Sequence, residues 1–278
     1  MNAIRVITGA TSGIGRALAQ QLSGAGPIAL VARDAAKADA VRGEIVRAVP
    51  DASVEVHLAD LSSLADVRSL ADQLSAAHPR IAALVNCAAV FSSRRVETTD
   101  GLELMFATNH LAPFLLTNLL LPSLRANGAA RVLTVTAPST SKLDFDDLQG
   151  QRRRFRALSA FGASKAANLL FTFGLATRVA GSGVVANAVH PGLARTGLMR
   201  QAPLLLRAPI ALLSAPPDRV AERIAPLLLD DDFGSGNGLF LHRGRAIDPP
   251  QYTRDAEVQQ RLWEVSERLV GIVLEPRI

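Results

Sequence analysis

The chain alternates between short, nearly unbroken apolar runs and longer stretches in which apolar residues recur three and four positions apart. Continuous runs of this length read as strands covered on both faces, and the spaced stretches as helices with an apolar stripe. Strands are predicted at Ile4 to Thr8, Pro27 to Ala32, Ser53 to Leu58, Ile81 to Asn86, Ala129 to Thr136, Gly183 to His190 and near Gly238 to Leu241. Helices are predicted from Ile14 to Leu22, Ala35 to Val49, up to Ala77, Gly101 to Leu124, Ser159 to Ala180, up to Leu229, and Glu257 to Leu269. Strand and helix in turn predict an α/β fold: a doubly wound parallel sheet of about seven strands with helices on both faces, in a single domain.

The join between the first strand and the first helix organises the rest. Ile4, Val6 and Ile7 stop at Thr8, glycines follow at 9, 13 and 15, and the helical pattern of Ile14, Leu18 and Leu22 begins at once. Glycine accepts positive φ and lets a ligand approach where a Cβ would stand, while the helix start offers unpaired N–H groups and the positive end of its dipole. Such a turn is built to hold a pyrophosphate, which makes the sheet Rossmann-like. At the tip of the second strand stands Arg33, where a carboxylate would bind a ribose 2′-hydroxyl and an arginine suits a 2′-phosphate. Arg33 therefore predicts NADP(H) over NAD(H), with Arg16 placed to assist; the alternative is a solvated arginine beside Asp34.

The turn TGATSGIG, spaced Gly-x-x-x-Gly-x-Gly, resembles the nucleotide loop of the short-chain dehydrogenase/reductase superfamily. The segments FATNHLAPFLLTNLLLPSL, DDLQG, VHPG and RLWEVSERL resemble its retinol-dehydrogenase-like branch. The resemblance implies that Gly9, Thr11, Ser12, Gly13, Ile14 and Gly15 form the cofactor loop. It implies further cofactor contacts at Asp60 and Leu61, at Asn86 and Ala88 within Asn86-Cys87-Ala88-Ala89, and at Pro191, Gly192 and Thr196. Asp60 also precedes Ser62, a candidate helix cap. Lys165 aligns with the lysine that holds the nicotinamide ribose, and Asn109 with an asparagine that helps hold a water near it. Pro113, four residues after Asn109, removes the donor its carbonyl would meet in a regular helix, so something else should bind that carbonyl.

Besides Cys87 and Ala89, which stand where the family's Asn-Asn-Ala-Gly segment has its second asparagine and its glycine, two positions of the catalytic set depart from the family. SAFGASK matches the helix that carries the Tyr-x-x-x-Lys pair, but Phe161 stands at the tyrosine and Ala137 at the catalytic serine. Tyr252, the one tyrosine, lies far downstream. General acid catalysis is worth ~10² to 10⁴ in rate, so a plain ketone reductase lacking it should be slow. The expected catalytic residues are Lys165, Asn109, Thr136 and Ser139, with Ser159 and His190 as further proton sources; His110 reads as a helix residue with a local bond. The chain is thus expected to be an oxidoreductase acting on a small apolar carbonyl, enone, quinone or imine. The alternatives are a non-redox cyclase, isomerase or dehydratase, and an inactive NADP(H)-binding protein.

Composition narrows the setting. Of 278 residues, 49% are hydrophobic and 20% charged, an ordinary globular balance that disfavours disorder. Cys87 is the only cysteine, which excludes an internal disulfide and any cysteine-cluster metal site; no metal is expected, and Cys87 reads as a small buried hydrophobe. The first strand starts close to Met1 and no apolar run reaches the ~18 residues of a membrane span, so a cytoplasmic protein without leader or span is expected. The net charge is +5, and the run Arg152 to Arg156 is read as a solvated loop rather than a nucleic-acid site. The apolar, proline-marked stretch 198–217 is expected to be a substrate lid, with an amphipathic membrane patch as the alternative that its few basic residues disfavour. Helices 101–124 and 159–180 carry apolar stripes that fit either a homodimer face or core.

Overall fold

The computed structural model, which describes residues 3–195, 197–198, 214–230 and 236–273, turns each predicted run into a strand. They are β1 (Ile4–Thr8), β2 (Ile28–Ala32), β3 (Val54–Leu58), β4 (Ile81–Asn86), β5 (Ala130–Val135), β6 (Val184–His190) and β7 (Phe240–His242). An eighth, β8 (Arg245–Ala246), turns back antiparallel on β7 through Arg243 and Gly244, both at positive φ. The sequence reading missed it because two exposed residues carry no apolar alternation. The order is β3-β2-β1-β4-β5-β6-β7-β8, and every pair before the last is parallel.

Alternate residues of each strand face opposite helical layers, as the pleat requires. Ile4 and Val6 of β1, with Ala29 and Val31 of β2, pack under α3 (Leu64–Ala77), α4 (Leu104–Arg125) and α5 (Ala157–Arg178). Ile7, Ile28 and Leu30 face α1 (Gly13–Leu22), α2 (Ala35–Ala48) and, across the sheet's middle, α6 (Pro217–Ile224). A short α7 (Pro226–Leu229) follows α6. The cap of α3 is Ser63, whose hydroxyl accepts from Asp66 N at 3.2 Å, rather than the predicted Ser62. Asp66 answers by accepting from Ser63 Oγ at 3.0 Å, and that reciprocal pair selects the later start.

Helix α4 is long and apolar enough to cross a membrane, yet 83% of its apolar window is buried inside the fold. Its turn over Ala107–Leu111 is π-helical. A π turn pairs each carbonyl with the donor five residues on, and here Ala112 N donates to Ala107 O just before Pro113. The C-terminal helix α8 (Ala256–Val270) is capped by Asp255 and ends at Gly271 in the left-handed region. Its Trp263 stands edge-on to Phe114 of α4 at 4.9 Å and stacks on Phe171 of α5 at 5.9 Å. The stripes that fitted either a dimer face or core are therefore core at these residues, because α8 of the same chain covers them.

His110 is fully buried, and its Nε2 lies 2.9 Å from Ser266 Oγ on α8. Ser266 gives its own proton to Leu262 O at 2.7 Å, so the ring is the donor. The expected local bond is instead a tie between α4 and α8, far apart in sequence. Burial drives the imidazole down to about 3. The unfolded chain takes up this proton near pH ~6.5 and the folded chain does not, so stability falls as pH drops below that value, by about 1.4 kcal/mol per unit. Urea unfolding at pH 6.5 and pH 5 should show a loss of about 2 kcal/mol that is absent in His110→Gln. Equal pH slopes in the two proteins would remove the buried imidazole from the account.

Candidate active site

The strand order reverses between β1 and β4, and doubly wound sheets bind ligands outside the strand ends at that point. Thr8 stitches the two ends together: its hydroxyl donates to Val85 O (3.2 Å) and accepts from Cys87 N (3.0 Å) and Ala88 N (3.1 Å). Gly9, at φ +68°, is thereby pressed on Ala88, whose Cα would lie 2.8 Å from any Cβ at Gly9. Gly13 is also left-handed, at φ +52°. Gly15 lets α1 sit on the loop. Ser12 at the helix start makes no side-chain cap, and the first turn holds no acid, so the N–H groups there stay available to an anion.

Arg33 is exposed at the end of β2 and keeps no bond to Asp34. Asp34 instead caps α2 through Lys37 N (3.1 Å) and pairs with the Lys37 ammonium at 2.9 Å. Arg16, expected to assist Arg33, is held by Glu44 at 2.6 Å, because α1 and α2 lie side by side. Asp60 accepts from Ser62 N (2.9 Å) and Ser62 Oγ (2.8 Å) with one carboxylate oxygen, and half-buried Leu61 packs on the core. Asn86 donates to Thr117 Oγ1 of α4 at 3.1 Å.

Helix α5 carries Phe161 and Lys165 one turn apart on one face. Lys165 is buried, which pushes its ammonium down to about 8. Its Nζ lies 5.4 Å from the centre of the Phe161 ring, and that ring meets Phe91 edge-on at 5.6 Å. Met105, Phe155, Ala160 and Leu198 complete an apolar cluster around the two rings. Beside it opens a cavity of about 350 Å³ lined by Phe91, Ser93, Arg156, Ala157, Leu158 and Ser159. Desolvation holds the Cys87 thiol up at about 12, so it is inert near neutral pH.

A sequence profile described as short chain dehydrogenase matches residues 3–204. The chain belongs to that family. It is 35% identical to human retinol dehydrogenase 13 over 278 residues, covering 96% of this chain and 84% of that protein. With retinol dehydrogenase 12 of Mus musculus it shares 36% over 278 residues, covering 97% and 87%. An uncharacterized protein from Mycobacterium paratuberculosis has the same fold at a TM-score of 0.80 with 31% identity, over 98% of this chain and 94% of that one. A metagenomic short-chain oxidoreductase solved in complex with NADP superposes at a TM-score of 0.62 with 28% identity, over 83% and 92%. Membership makes this chain an oxidoreductase of the dehydrogenase type, with a Rossmann-type nucleotide fold.

Within this dehydrogenase the residues singled out from sequence divide into three groups. The loop glycines, Arg33, Asp60 and Ala88 follow the ends of β1 to β4, and Asn86 is the last residue of β4, while Pro191 and Gly192 (φ +76°) follow β6. Thr196, and the lid stretch other than Leu198 and 214–217, lie outside the described residues. Others do structural work. Asn109 accepts from Val90 N (2.8 Å) and donates to Val90 O (3.0 Å) and Ser164 Oγ (3.0 Å), tying the segment after β4 to α5.

The four expected proton sources also separate. Thr136 spends its proton on Lys165 O at 2.8 Å, which removes it as a free acid and anchors the lysine's backbone. Ser139 accepts from Ser141 N at 3.2 Å and stands beside Gly162. His190 stacks on His242 at 4.8 Å and borders a different hollow with Val220 and Arg223. Ser159 lines the cavity. The sequence reading missed Thr8 as the clamp, although it stood at the head of the loop, and missed Phe91, Arg156 and Leu158, whose stretches carry no motif.

Proposed function

We propose that the chain is an NADP(H)-dependent oxidoreductase whose substrates are small apolar molecules that accept reduction without a tyrosine acid: enones, quinones or iminium ions. The observation that carries this reading is the Phe161 ring, packed on Phe91 and beside the Lys165 ammonium where the family places its proton donor. A dinucleotide fits the residues present: a glycine cradle that a Cβ at position 9 or 15 would fill, a helix start without a side-chain cap, and an exposed arginine past β2. When bound, the cofactor supplies or accepts a hydride. Lys165, a buried cation, would hold the nicotinamide ribose, and Arg33 the 2′-phosphate.

The phenylalanines and Leu198 exclude water and orient an apolar substrate body. Phe161 moves no proton, so the substrate must leave no localised charge on oxygen. An iminium ion ends neutral, and a quinone or enone spreads the charge it gains. Of the side chains that line the cavity, the Ser93 and Ser159 hydroxyls can pass on a proton.

The test is NADPH consumption by purified protein against a cyclic enone, a benzoquinone, a preformed iminium ion and a plain cyclic ketone. The activated substrates should turn over and the ketone should lag far behind; a ketone rate equal to the enone rate would overturn the reading. Arg33→Ala should weaken NADPH binding by about 10- to 100-fold, the worth of a charge-assisted contact to phosphate, and leave NADH binding unchanged. Calorimetric titration with each nucleotide checks this, and equal losses for both would take Arg33 off the phosphate.

A further inference from the structure

Two strands away from the glycine turn, the outer edge of the sheet carries a second constellation. Glu55 and His57 lie two apart on β3, the terminal strand, and so project from the same face. His78 closes α3 as its C-terminal cap, held there by its backbone N–H to Leu74 O at 2.8 Å. Both imidazoles aim Nε2 at a single carboxylate oxygen: Glu55 Oε2 lies 3.3 Å from His57 and 2.8 Å from His78. The three atoms fall within 4.8 Å of one another. The histidine side chains are only 12% and 19% exposed, while the Glu55 carboxylate keeps 41% of its surface open to solvent.

We propose that Glu55, His57 and His78 form a binding site for one divalent transition-metal ion, zinc in the first instance. Zinc takes imidazole nitrogen and carboxylate oxygen at ~2.0 to 2.2 Å, and in a tetrahedron those bonds place neighbouring donor atoms ~3.3 Å apart. The His57 to Glu55 separation already has that value, the His78 to Glu55 pair needs to open slightly, and the two imidazole nitrogens lie no more than 4.8 Å apart. The donor set, two neutral imidazoles and one carboxylate, suits zinc, nickel and cobalt rather than calcium or magnesium. The fourth position is reached by water through the exposed side of Glu55. The ion would fasten the free edge strand to the end of α3, and so act on stability rather than on the reductive site.

The experiment uses full-length, tag-free protein stripped with a chelator. Cobalt(II) titration should raise visible absorption bands that saturate at one equivalent and vanish on adding zinc. Saturating zinc should raise the melting temperature by roughly 5 °C. His57→Gln, His78→Gln and Glu55→Gln each keep a hydrogen-bonding side chain in place, so they should fold without metal and lose both the bands and the shift. A wild-type protein with no bands and no shift would overturn the proposal. So would binding that persists in the His57→Gln/His78→Gln double variant, as an ion held by His190 and His242 would.

Discussion

Phe161→Tyr combined with Ala137→Ser should raise plain ketone reduction with NADPH by about 10² to 10⁴, the ordinary worth of a placed general acid. The change installs hydroxyls at the two positions that the sequence resemblance aligns with the family's tyrosine and serine. Phe161 sits one helical turn before Lys165 with its ring centre 5.4 Å from Nζ, so a phenol there would lie near an ammonium that favours the phenolate. Lys165 itself is anchored, since its backbone carbonyl accepts the Thr136 hydroxyl at 2.8 Å. Ala137 follows that threonine directly, at the mouth of β5. The enone rate should change little, because that reaction makes no use of the new acid. Initial rates of NADPH oxidation with cyclohexanone and cyclohexenone, in the single and double variants, check both statements. A double variant as slow on ketones as the parent would mean that the substrate oxygen does not lie over the Phe161 ring.

Gly15→Ala should abolish nucleotide binding and cost about 1 to 3 kcal/mol of stability, the range for a side chain forced into closed space. A Cβ there would stand 2.9 Å from the carbonyl carbon of Gly9 and closer still to its oxygen. Gly9 cannot retreat, because its other side is against Ala88, which the Thr8 hydroxyl holds at 3.1 Å. The loop must therefore lift off the end of β1, and the N–H groups that would face a pyrophosphate go with it. Gly43→Ala, on α2 with nothing within 4 Å, is the control: it should stabilise by about 0.5 to 1 kcal/mol through its better helix propensity. Urea midpoints and NADPH titration of both variants measure the contrast. A Gly15→Ala protein that kept its affinity would show that the loop has another conformation able to hold the cofactor.

Sequence by itself determined the elements that local chemistry dictates. Residues 81 to 86 form β4 with the predicted bounds, and α2 starts at Ala35 as predicted, because a continuous apolar run and a capped amphipathic stretch are each specified by the residues they contain. The glycine turn and the Phe161 and Lys165 register were legible for the same reason: the spacing of glycines sets a backbone path, and four residues set one helix face. Only the tertiary structure decided which polar side chains were free to act. Thr136 looked like an available hydroxyl until α5 brought the Lys165 carbonyl against it, and Arg16 looked free until α2 brought Glu44. His110 needed Ser266 from the far end of the chain, and the Glu55, His57 and His78 group needed β3 to lie beside the end of α3. Chain order encodes local periodicity directly, whereas a hydrogen bond or a metal ligand depends on which distant element folds within about 3 Å, and that is set by packing of the whole sheet.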